Sequence, residues 1–540
     1  QARAERERAE RRFAQVRKLS NTFLFDFDDK LQDIPGTTET RALVAKTALE
    51  YLNSLEQEAA GDAQLEWELA SAYQKVGDVQ GAPWSPNLGQ TQEAKLSYQK
   101  SLKLAQQLNQ NGNSDLKMLR LLAQDYFKLG ALQTQAGEVT VAHETLRQAL
   151  SVAERLEQQT HDLEDIRLLQ SCHIRLGDTL MDAGDPTGAL ESYRRTLRLS
   201  ERRVREFPSD RSQLSLGMDY ERVAEAQIAL GDLPGALAGL QQSLTQVDAV
   251  LPRHATDPIY LRPRMIALGW LGDLSGNPNF LNFGDTAAAL RYNREALVLA
   301  EQMAALDAKN ARAQRDLASQ HFSLAEMLTL AQPAQAIAHL QQARAIVREL
   351  LVSEPQSTEL LRQDARCLKG LAKAHAQHGE QVSALQELQQ ARQILQALQA
   401  RDANDQPTRD ELHDTLLTLA ELTLRTGAHN AALPLYREAL TLAQTPPVEQ
   451  SAAVMVRWHL ADSYAGLSRY YAARAAGAPL PERPSHWRDA RQYAQQSLSL
   501  WEGWGQHAPS TSFDRRQREQ AARAVAVCDA ALAKLAAAKH

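Results

Sequence analysis

Apolar residues recur along this 540-residue chain at helical spacing, in segments that resemble one another. In Ala142–Leu150, Ala189–Leu197 and Ala432–Leu440, a small residue comes first and a large residue follows four positions later. A second small residue, followed by leucine, lies seven positions from the first. Residues at these spacings share one face of an α-helix. The small residues allow a neighbouring helix to pack closely around the large one, so the pattern predicts paired helices.

A glycine followed by a short, usually polar residue separates these helices at nearly regular intervals. Three of the six steps between successive glycines are 47 or 48 residues, and a fourth, of 95 residues, is about twice that length. Glycine supplies the left-handed conformation that ends a helix, and an acidic residue after it stabilises the positive end of the next helix. The sequence therefore predicts repeated helical hairpins. Their turns are expected at Gly77, Gly137, Gly184, Gly231, Gly284, Gly379 and Gly427.

The helix before each turn carries a large residue and then, one turn later, a large residue followed by a small one. In this pattern the chain resembles the tetratricopeptide family, although that family's usual repeat is about 34 residues. The resemblance implies an all-α, right-handed α-solenoid of about nine elongated hairpins, in which neighbours complete each other's core. With Gly231 as the turn glycine, the matched positions are Tyr220, Val223, Ala224, Ala236, Leu240 and Ser243.

Three insertions interrupt the period, near residues 79–90, 273–284 and 476–486. The first two align without gaps, as GDVQGAPWSPNLGQT and GDLSGNPNFLNFGDT. They fall in the first, fifth and ninth hairpins, which suggests duplication of a block of four hairpins. We expect N-terminal juxtamembrane-like and capping helices over residues 1–60, tetratricopeptide-like repeats over 61–505 and a C-terminal capping helix over 506–540.

Composition agrees with a helical chain and narrows the partners. Apolar residues make up 44% and aromatic residues 6% of the chain, and the formal net charge is −6. Without a basic excess to neutralise phosphates, nucleic acid is not expected as a partner. Cys172, Cys367 and Cys528 lie far apart and include no CxxC motif, so we interpret them as small buried residues. No apolar run reaches the length of a membrane span.

The segment before the repeats is more specific than the repeats themselves. Its sequence from Arg11 to Ala59 is RRFAQVRKLSNTFLFDFDDKLQDIPGTTETRALVAKTALEYLNSLEQEA. It resembles the segment that follows the transmembrane helix in bacterial membrane-anchored serine/threonine protein kinases with tetratricopeptide tails. The resemblance implies that the chain is the non-catalytic tail of such a kinase, with the kinase domain outside this sequence.

The same resemblance implies a soluble region of a single-span inner-membrane protein, on the extracytoplasmic side. Contact with the membrane would then run only through a segment preceding residue 1. The first twelve residues, QARAERERAERR, are open to two interpretations. They form either a juxtamembrane helix near anionic lipid or a solvated helical lead-in to the segment.

The residues carry no recognisable motif for catalysis or cofactor binding. A glycine-rich phosphate loop and the HRD and DFG triplets of kinases are missing from the sequence. His375 and His378 lie three apart on a predicted helix, without a third ligand at metal spacing. Trp487, Trp501 and Trp504 form either an aromatic binding cluster or a widened final core. We expect no catalytic residue, no cofactor and no metal.

The first helices of the hairpins are expected to line a concave groove that binds a protein or peptide. On each first helix, the positions beside the apolar residues that face the core would point into this groove. The groove would have a basic section at the seventh hairpin. The alternative for each residue is an ordinary solvated helix face with charge pairs four positions apart on the same helix. The candidates are Arg175, Asp178, Glu221, Arg222, Glu225, Lys369, Lys373, Glu421 and Arg425.

The insertions supply a second set of candidates. Trp84 and Phe280, with Asn87 and Asn282, occupy matching places in the first two insertions. The aromatic residues could anchor a partner. Alternatively, they fold back and cover the end of their own hairpin. The two interpretations place these side chains in solvent or in the core.

These observations favour a protein–protein interaction scaffold or sensor that serves signal transduction as the tail of a serine/threonine kinase. One alternative is a free-standing soluble tetratricopeptide adaptor without a kinase. Another is an enzyme whose site lies unrecognised in an insertion. The interpretations differ in what precedes Gln1 and in whether the chain turns over a substrate.

Overall fold

A computed structural model describes residues 38–55, 61–82, 88, 90–110, 115–136, 138–306, 308, 310–403 and 405–537. Within these ranges the chain forms twenty α-helices and no strand. The chain divides into two compact units, Gln1–Thr179 and Leu180–His540, called unit 1 and unit 2 below. The prediction of an all-α chain built from repeated tetratricopeptide-like hairpins is confirmed.

The described part of unit 1 contains α1–α5 and most of α6, which ends just beyond the boundary. A single helix, α1, precedes two hairpins, in which α2 packs on α3 and α4 packs on α5. The bounds are α1 Thr38–Leu55, α2 Ala63–Gly81, α3 Thr91–Gln110, α4 Leu116–Gln135, α5 Val139–Thr160 and α6 Leu163–Asp182.

Unit 2 continues the alternation of first and second helices from α7 to α19, and α20 follows as a last single helix. The bounds are α7 Pro186–Glu206, α8 Asp210–Ala229, α9 Leu233–Val250, α10 Pro258–Gly276, α11 Thr286–Leu306, α12 Ala311–Leu328, α13 Pro333–Ser353, α14 Thr358–His378, α15 Gln381–Arg401, α16 Gln406–Arg425, α17 His429–Ala443, α18 Val454–Gly477, α19 Arg483–Glu502 and α20 Ser512–Ala537.

Glycines in the left-handed conformation mark five of the predicted turns. The backbone φ is positive at Gly184, Gly231, Gly284, Gly379 and Gly427. At two of these turns the acidic residue after the glycine caps the next helix. The Asp185 and Asp232 carboxylates each accept a hydrogen bond from the backbone N–H of the residue three positions later. The Gly137 turn lies outside the described residues. The turn prediction is therefore confirmed at these five positions.

The predicted turn at Gly77 is wrong. This glycine lies inside α2, which continues to Gly81. A Cβ at Gly77 would lie 2.6 Å from the Tyr98 ring on α3. Gly272 behaves in the same way inside α10, against Asn293 on α11. At both places glycine permits close helix approach, not a change of chain direction.

Each hairpin completes its core with residues of the next hairpin. Tyr436 on α17 is fully buried, and a Cβ at Gly466 on α18 would lie 2.7 Å from its ring. One continuous apolar cluster runs through α14, α15, α16, α17 and α18. Cys172, Cys367 and Cys528 are buried, as predicted. The stacking in series that the repeat pattern predicts therefore holds within unit 2.

Unit 2 also closes on itself at its C-terminal end. An apolar cluster joins α8, α9 and α10 to α18, α19 and α20, across more than 200 residues of sequence. Trp501 and Trp504 lie within this cluster at 4% and 2% exposure, and Phe513 contacts both Trp458 and Trp501. Trp501 and Trp504 therefore fill the core, whereas Trp487 on α19 is half-buried.

Among the described helices, none combines the length and the apolar character that crossing a membrane requires. This finding concerns the helices of both units.

Replacement of Phe513 by alanine is expected to destabilise unit 2 by about 3–5 kcal/mol, because a buried aromatic side chain leaves a cavity. Val527→Ala on the same helix is the control, since Val527 is 59% exposed. Urea unfolding followed by tryptophan fluorescence measures both. A change below about 1 kcal/mol for Phe513→Ala would contradict the closure described above.

The inner face of unit 2, a candidate binding site

Basic residues on the first helix of one hairpin contact acidic residues on the first helix of the next. Arg262 on α10 pairs with Asp316 on α12 at 2.6 Å. Arg366 on α14 pairs with Glu411 on α16 at 3.0 Å. The same arrangement occurs in unit 1, between Arg120 and Asp165. Many charges on the first helices therefore neutralise each other between helices, and not through the i,i+4 pairs within one helix that the alternative interpretation anticipated.

Lys369 belongs to this set of ion pairs. Its side chain is 8% exposed, and its Nζ lies 2.7 Å from Glu411 and 3.5 Å from Asp414. Burial alone lowers the pKa of Lys369, but the two carboxylates outweigh burial and raise it. In the predicted basic section at the seventh hairpin, Lys369 is thus a buried cation between two acids. Its role in binding stays a prediction.

Lys373, one turn further along α14, contacts the insertion between α10 and α11. Its Nζ donates to Asn279 Oδ1 at 3.0 Å. Asn277 and Asn279 also donate to the Glu326 carboxylate on α12. The segment 277–285, which we call the insertion segment, is therefore tied to the first helices of the two following hairpins. We call the surface of α10, α12, α14, α16 and α18 on this side the inner face.

Phe280 and Asn282 belong to the structure of the insertion segment itself. Phe280 packs against the apolar cluster that joins α8–α10 to α18–α20, and its ring centroid lies 6.0 Å from that of Trp270. Asn282 is buried and donates to the Asn277 and Phe280 carbonyl oxygens. Its Oδ1 accepts from Arg516 on α20. For Phe280 this packing agrees with the covering interpretation. Trp84 and Asn87 lie outside the described residues.

Glu421 lies towards the carboxyl end of α16 and is shared by two partners. Its Oε2 accepts from the Tyr436 hydroxyl and from Arg469 Nε, both at 3.0 Å. Arg425, one turn later on α16, is exposed. Glu421 and Arg469 therefore present a charged pair on consecutive first helices, while Arg425 lies at the helix end.

The remaining candidates are divided between the units. In unit 1, Arg175 pairs with Asp178 at 3.4 Å on the half-exposed side of α6. In unit 2, Glu221 is buried on α8 and accepts from the Ser243 hydroxyl. Burial raises the pKa of Glu221 to about 8. Arg222 lies 3.8 Å from Asp219, and Glu225 is half-buried.

Part of the inner face is sheltered from water. Burial raises the pKa of Asp273 on α10 to about 7 and that of Asp462 on α18 to about 6. Nevertheless, the charged side chains of Arg366, Asp414 and Arg469 are 44%, 43% and 55% exposed. Electrostatic contacts are stronger where water is partly excluded. A ligand with charges of both signs could therefore bind between these side chains.

A histidine cluster on α16 and α18 was missed by the sequence analysis. Asp414 Oδ1 lies 3.2 Å from His413 Nδ1 and 3.6 Å from His459 Nε2. The two imidazole rings are 4.4 Å apart between centroids. His413 and His459 are 46 residues apart, close to one repeat, and a comparison of positions one period apart could have revealed them. Among the described residues, this group could hold a metal ion.

Other candidate chemistry is occupied by structural contacts. His375 contacts Glu387 at 2.9 Å and Glu380 at 3.8 Å, and His378 contacts Glu380 at 3.0 Å, so both rings are already paired with carboxylates. Burial raises the pKa of Cys172 and Cys367, which disfavours the reactive thiolate. Neither thiol is thus suited to act as a nucleophile.

The chain resembles several solved structures of helical proteins at low similarity. A Rap protein complexed with competence and sporulation factor shares 11% identity, with 78% of this chain and 100% of that chain covered and a TM-score of 0.41. NprR in complex with its cognate peptide NprX shares 13%, with 73% and 98% covered and a TM-score of 0.38. Yeast Tom70 shares 13%, with 96% of each chain covered and a TM-score of 0.36.

No protein-family model matches the sequence. No curated protein matches it either.

Replacement of Lys369 by methionine is expected to destabilise unit 2 by about 1–3 kcal/mol, because Glu411 and Asp414 lose their buried cation. The matched control is Arg195→Met, whose exposed pair with Glu191 on α7 should contribute less than about 0.5 kcal/mol. Urea unfolding by circular dichroism compares the two variants. Equal losses in both would show that Lys369 is not held as described.

Proposed function

We propose that the chain is a non-catalytic scaffold that binds a protein or peptide on the inner face of unit 2. The observation that carries this proposal is the set of exposed charges on consecutive first helices, namely Arg366, Asp414, Glu421 and Arg469. They lie beside sheltered acids, where ion pairs with a ligand are strengthened. The ligand class is a peptide segment that carries both basic and acidic side chains.

The rigidity of the face supports the same proposal. Its helices are joined by ion pairs between hairpins, and the insertion segment holds α10, α12 and α14 together through Asn279, Glu326 and Lys373. A preorganised surface loses less conformational entropy when it binds. Binding therefore requires little rearrangement of the first helices.

We further propose that this scaffold is the tail of a bacterial membrane-anchored serine/threonine protein kinase, as the segment Arg11–Ala59 suggests by resemblance. The location would then be the extracytoplasmic side of the inner membrane, with the anchor preceding residue 1. Ligand binding to the tail would serve as the sensing step of signal transduction. The second candidate, a free-standing adaptor, would have the same inner face without a kinase.

A peptide screen tests the binding proposal. A phage library of random dodecapeptides is selected on the immobilised chain, and the enriched peptide is titrated by fluorescence anisotropy. We expect Arg366→Glu combined with Arg469→Glu to weaken binding by about tenfold or more, since each lost charged contact costs on the order of 1.5–3 kcal/mol. Arg195→Glu combined with Arg523→Glu is the control, since both of these arginines lie on other helices.

The arginines are better targets than Lys369, because a charge reversal at a buried position would damage the fold. Failure to enrich any peptide, or equal binding by both double variants, would remove the inner face as the binding site.

The kinase proposal is tested separately by the reading frame upstream of the codon for Gln1. A kinase domain followed by an apolar span of about 20 residues would support it. An initiating methionine close to Gln1 would reject it and favour the free-standing adaptor.

A further inference from the structure

We infer that His413, Asp414 and His459 form a binding site for one divalent metal ion of the zinc class. One nitrogen of each imidazole and one oxygen of Asp414 lie within 4.8 Å of one another. The site shares Asp414 with the proposed peptide-binding face, but it is argued from other contacts and lies between two consecutive first helices, α16 and α18.

The distances fit zinc coordination. Bonds of about 2.0–2.2 Å from zinc to nitrogen and oxygen place tetrahedral ligand atoms about 3.3–3.5 Å apart. Asp414 Oδ1 lies 3.2 Å from His413 Nδ1 and 3.6 Å from His459 Nε2. Small side-chain movements would therefore bring all three atoms to bonding distance from a single ion.

The other nitrogen of each ring already has a partner of the kind that metal-bound histidines use. His413 Nε2 lies 2.9 Å from the Ser463 hydroxyl. His459 Nδ1 lies 3.3 Å from the Asp410 carboxylate. Such outer partners fix the tautomer and the orientation of the ring, so that the nitrogen on the opposite side faces the metal. In both rings that nitrogen is the one that faces Asp414.

The surroundings allow an ion to enter and favour its charge. His413 and His459 are held in the interior, whereas Asp414 is 43% exposed towards the inner face. That exposure leaves a path for the ion and room for water or a fourth ligand. Asp410 and Glu411 add negative charge on the same helix.

Lys369 is the cation in direct contact with Asp414, and Lys373 also interacts with this carboxylate electrostatically. The Lys369 Nζ lies 3.5 Å from Asp414 Oδ2, which leaves Oδ1 for the metal. A carboxylate can therefore bridge the ammonium group and the ion, one oxygen to each. The nearer partner of Lys369 is Glu411, at 2.7 Å.

Two imidazoles and one carboxylate, with an open position, are ligands that zinc commonly takes. A preference for hard ions such as Mg²⁺ would require oxygen ligands throughout. The bound ion would link the eighth and ninth hairpins by coordinate bonds from α16 and α18. It would stabilise the chain in proportion to the logarithm of its free concentration.

The test uses the full chain without a polyhistidine tag, freed of metal by a chelator. Co²⁺ is titrated while the visible absorption of tetrahedral cobalt is recorded, and Zn²⁺ is titrated by calorimetry with Mg²⁺ as the inactive comparison. We expect one equivalent of Zn²⁺ to bind and to displace Co²⁺. Asp414→Asn and His459→Gln should each weaken binding by about tenfold or more.

Two further variants keep the test decisive if a ligand replacement perturbs the fold. Ser463→Ala and Asp410→Asn leave all three ligands in place and should weaken Zn²⁺ binding by about 10–100-fold. His375→Gln combined with His378→Gln is the control and should leave the affinity unchanged. Circular dichroism of the metal-free variants verifies folding.

Either of two results would overturn the inference. One is the absence of saturable Zn²⁺ binding by the wild-type chain. The other is equal affinity in wild type, Asp414→Asn and His459→Gln, which would place the ion elsewhere.

Discussion

The structure depends on the close approach of helices at small residues, because a single hairpin cannot cover its own apolar side. Tyr436 illustrates the constraint, since its ring is fully buried and a Cβ at Gly466 of the next hairpin would lie 2.7 Å from it. Within one hairpin of unit 1, Gly130 on α4 likewise lets Leu146 on α5 approach closely. Each such contact fixes the distance between two helices to within a methyl group. The stacking in series, and therefore the existence of an inner face, follows from these contacts.

Close stacking has an electrostatic consequence. Positions one repeat apart on the first helices come within ion-pair distance, and the chain fills them with opposite charges, as at Arg262 and Asp316. Most of these pairs are half-exposed and individually weak. Their shared effect is to keep the first helices in register while leaving some charges accessible. The histidine cluster is the place where the same spacing brings ligand atoms, not opposite charges, together.

The fold could be predicted from the sequence because its determinants are local. The left-handed glycines at Gly184 and Gly231 and the small residues of the core stripe report directly on helix ends and helix contacts. Gly77 was misassigned because glycine serves two purposes, and only its contact with Tyr98 distinguishes them. The state of Lys369 could not be predicted, since it depends on Glu411 and Asp414 in the next hairpin. Candidate sites in repeats must therefore be compared across the period, not along a single helix.

The closure of unit 2 has a consequence for how such a chain can evolve. Open arrays tolerate gain or loss of a repeat, since the new end resembles the old one. Here a Cβ at Gly231 would lie 2.5 Å from Ala508, and Ser512 donates to the Phe283 carbonyl oxygen, so the last helices fit a surface several hairpins earlier. Deletion or duplication of one hairpin between these points would shift that fit by a whole repeat. Gain or loss of a whole hairpin in unit 2 is therefore expected to be tolerated less well than a substitution or a change in loop length.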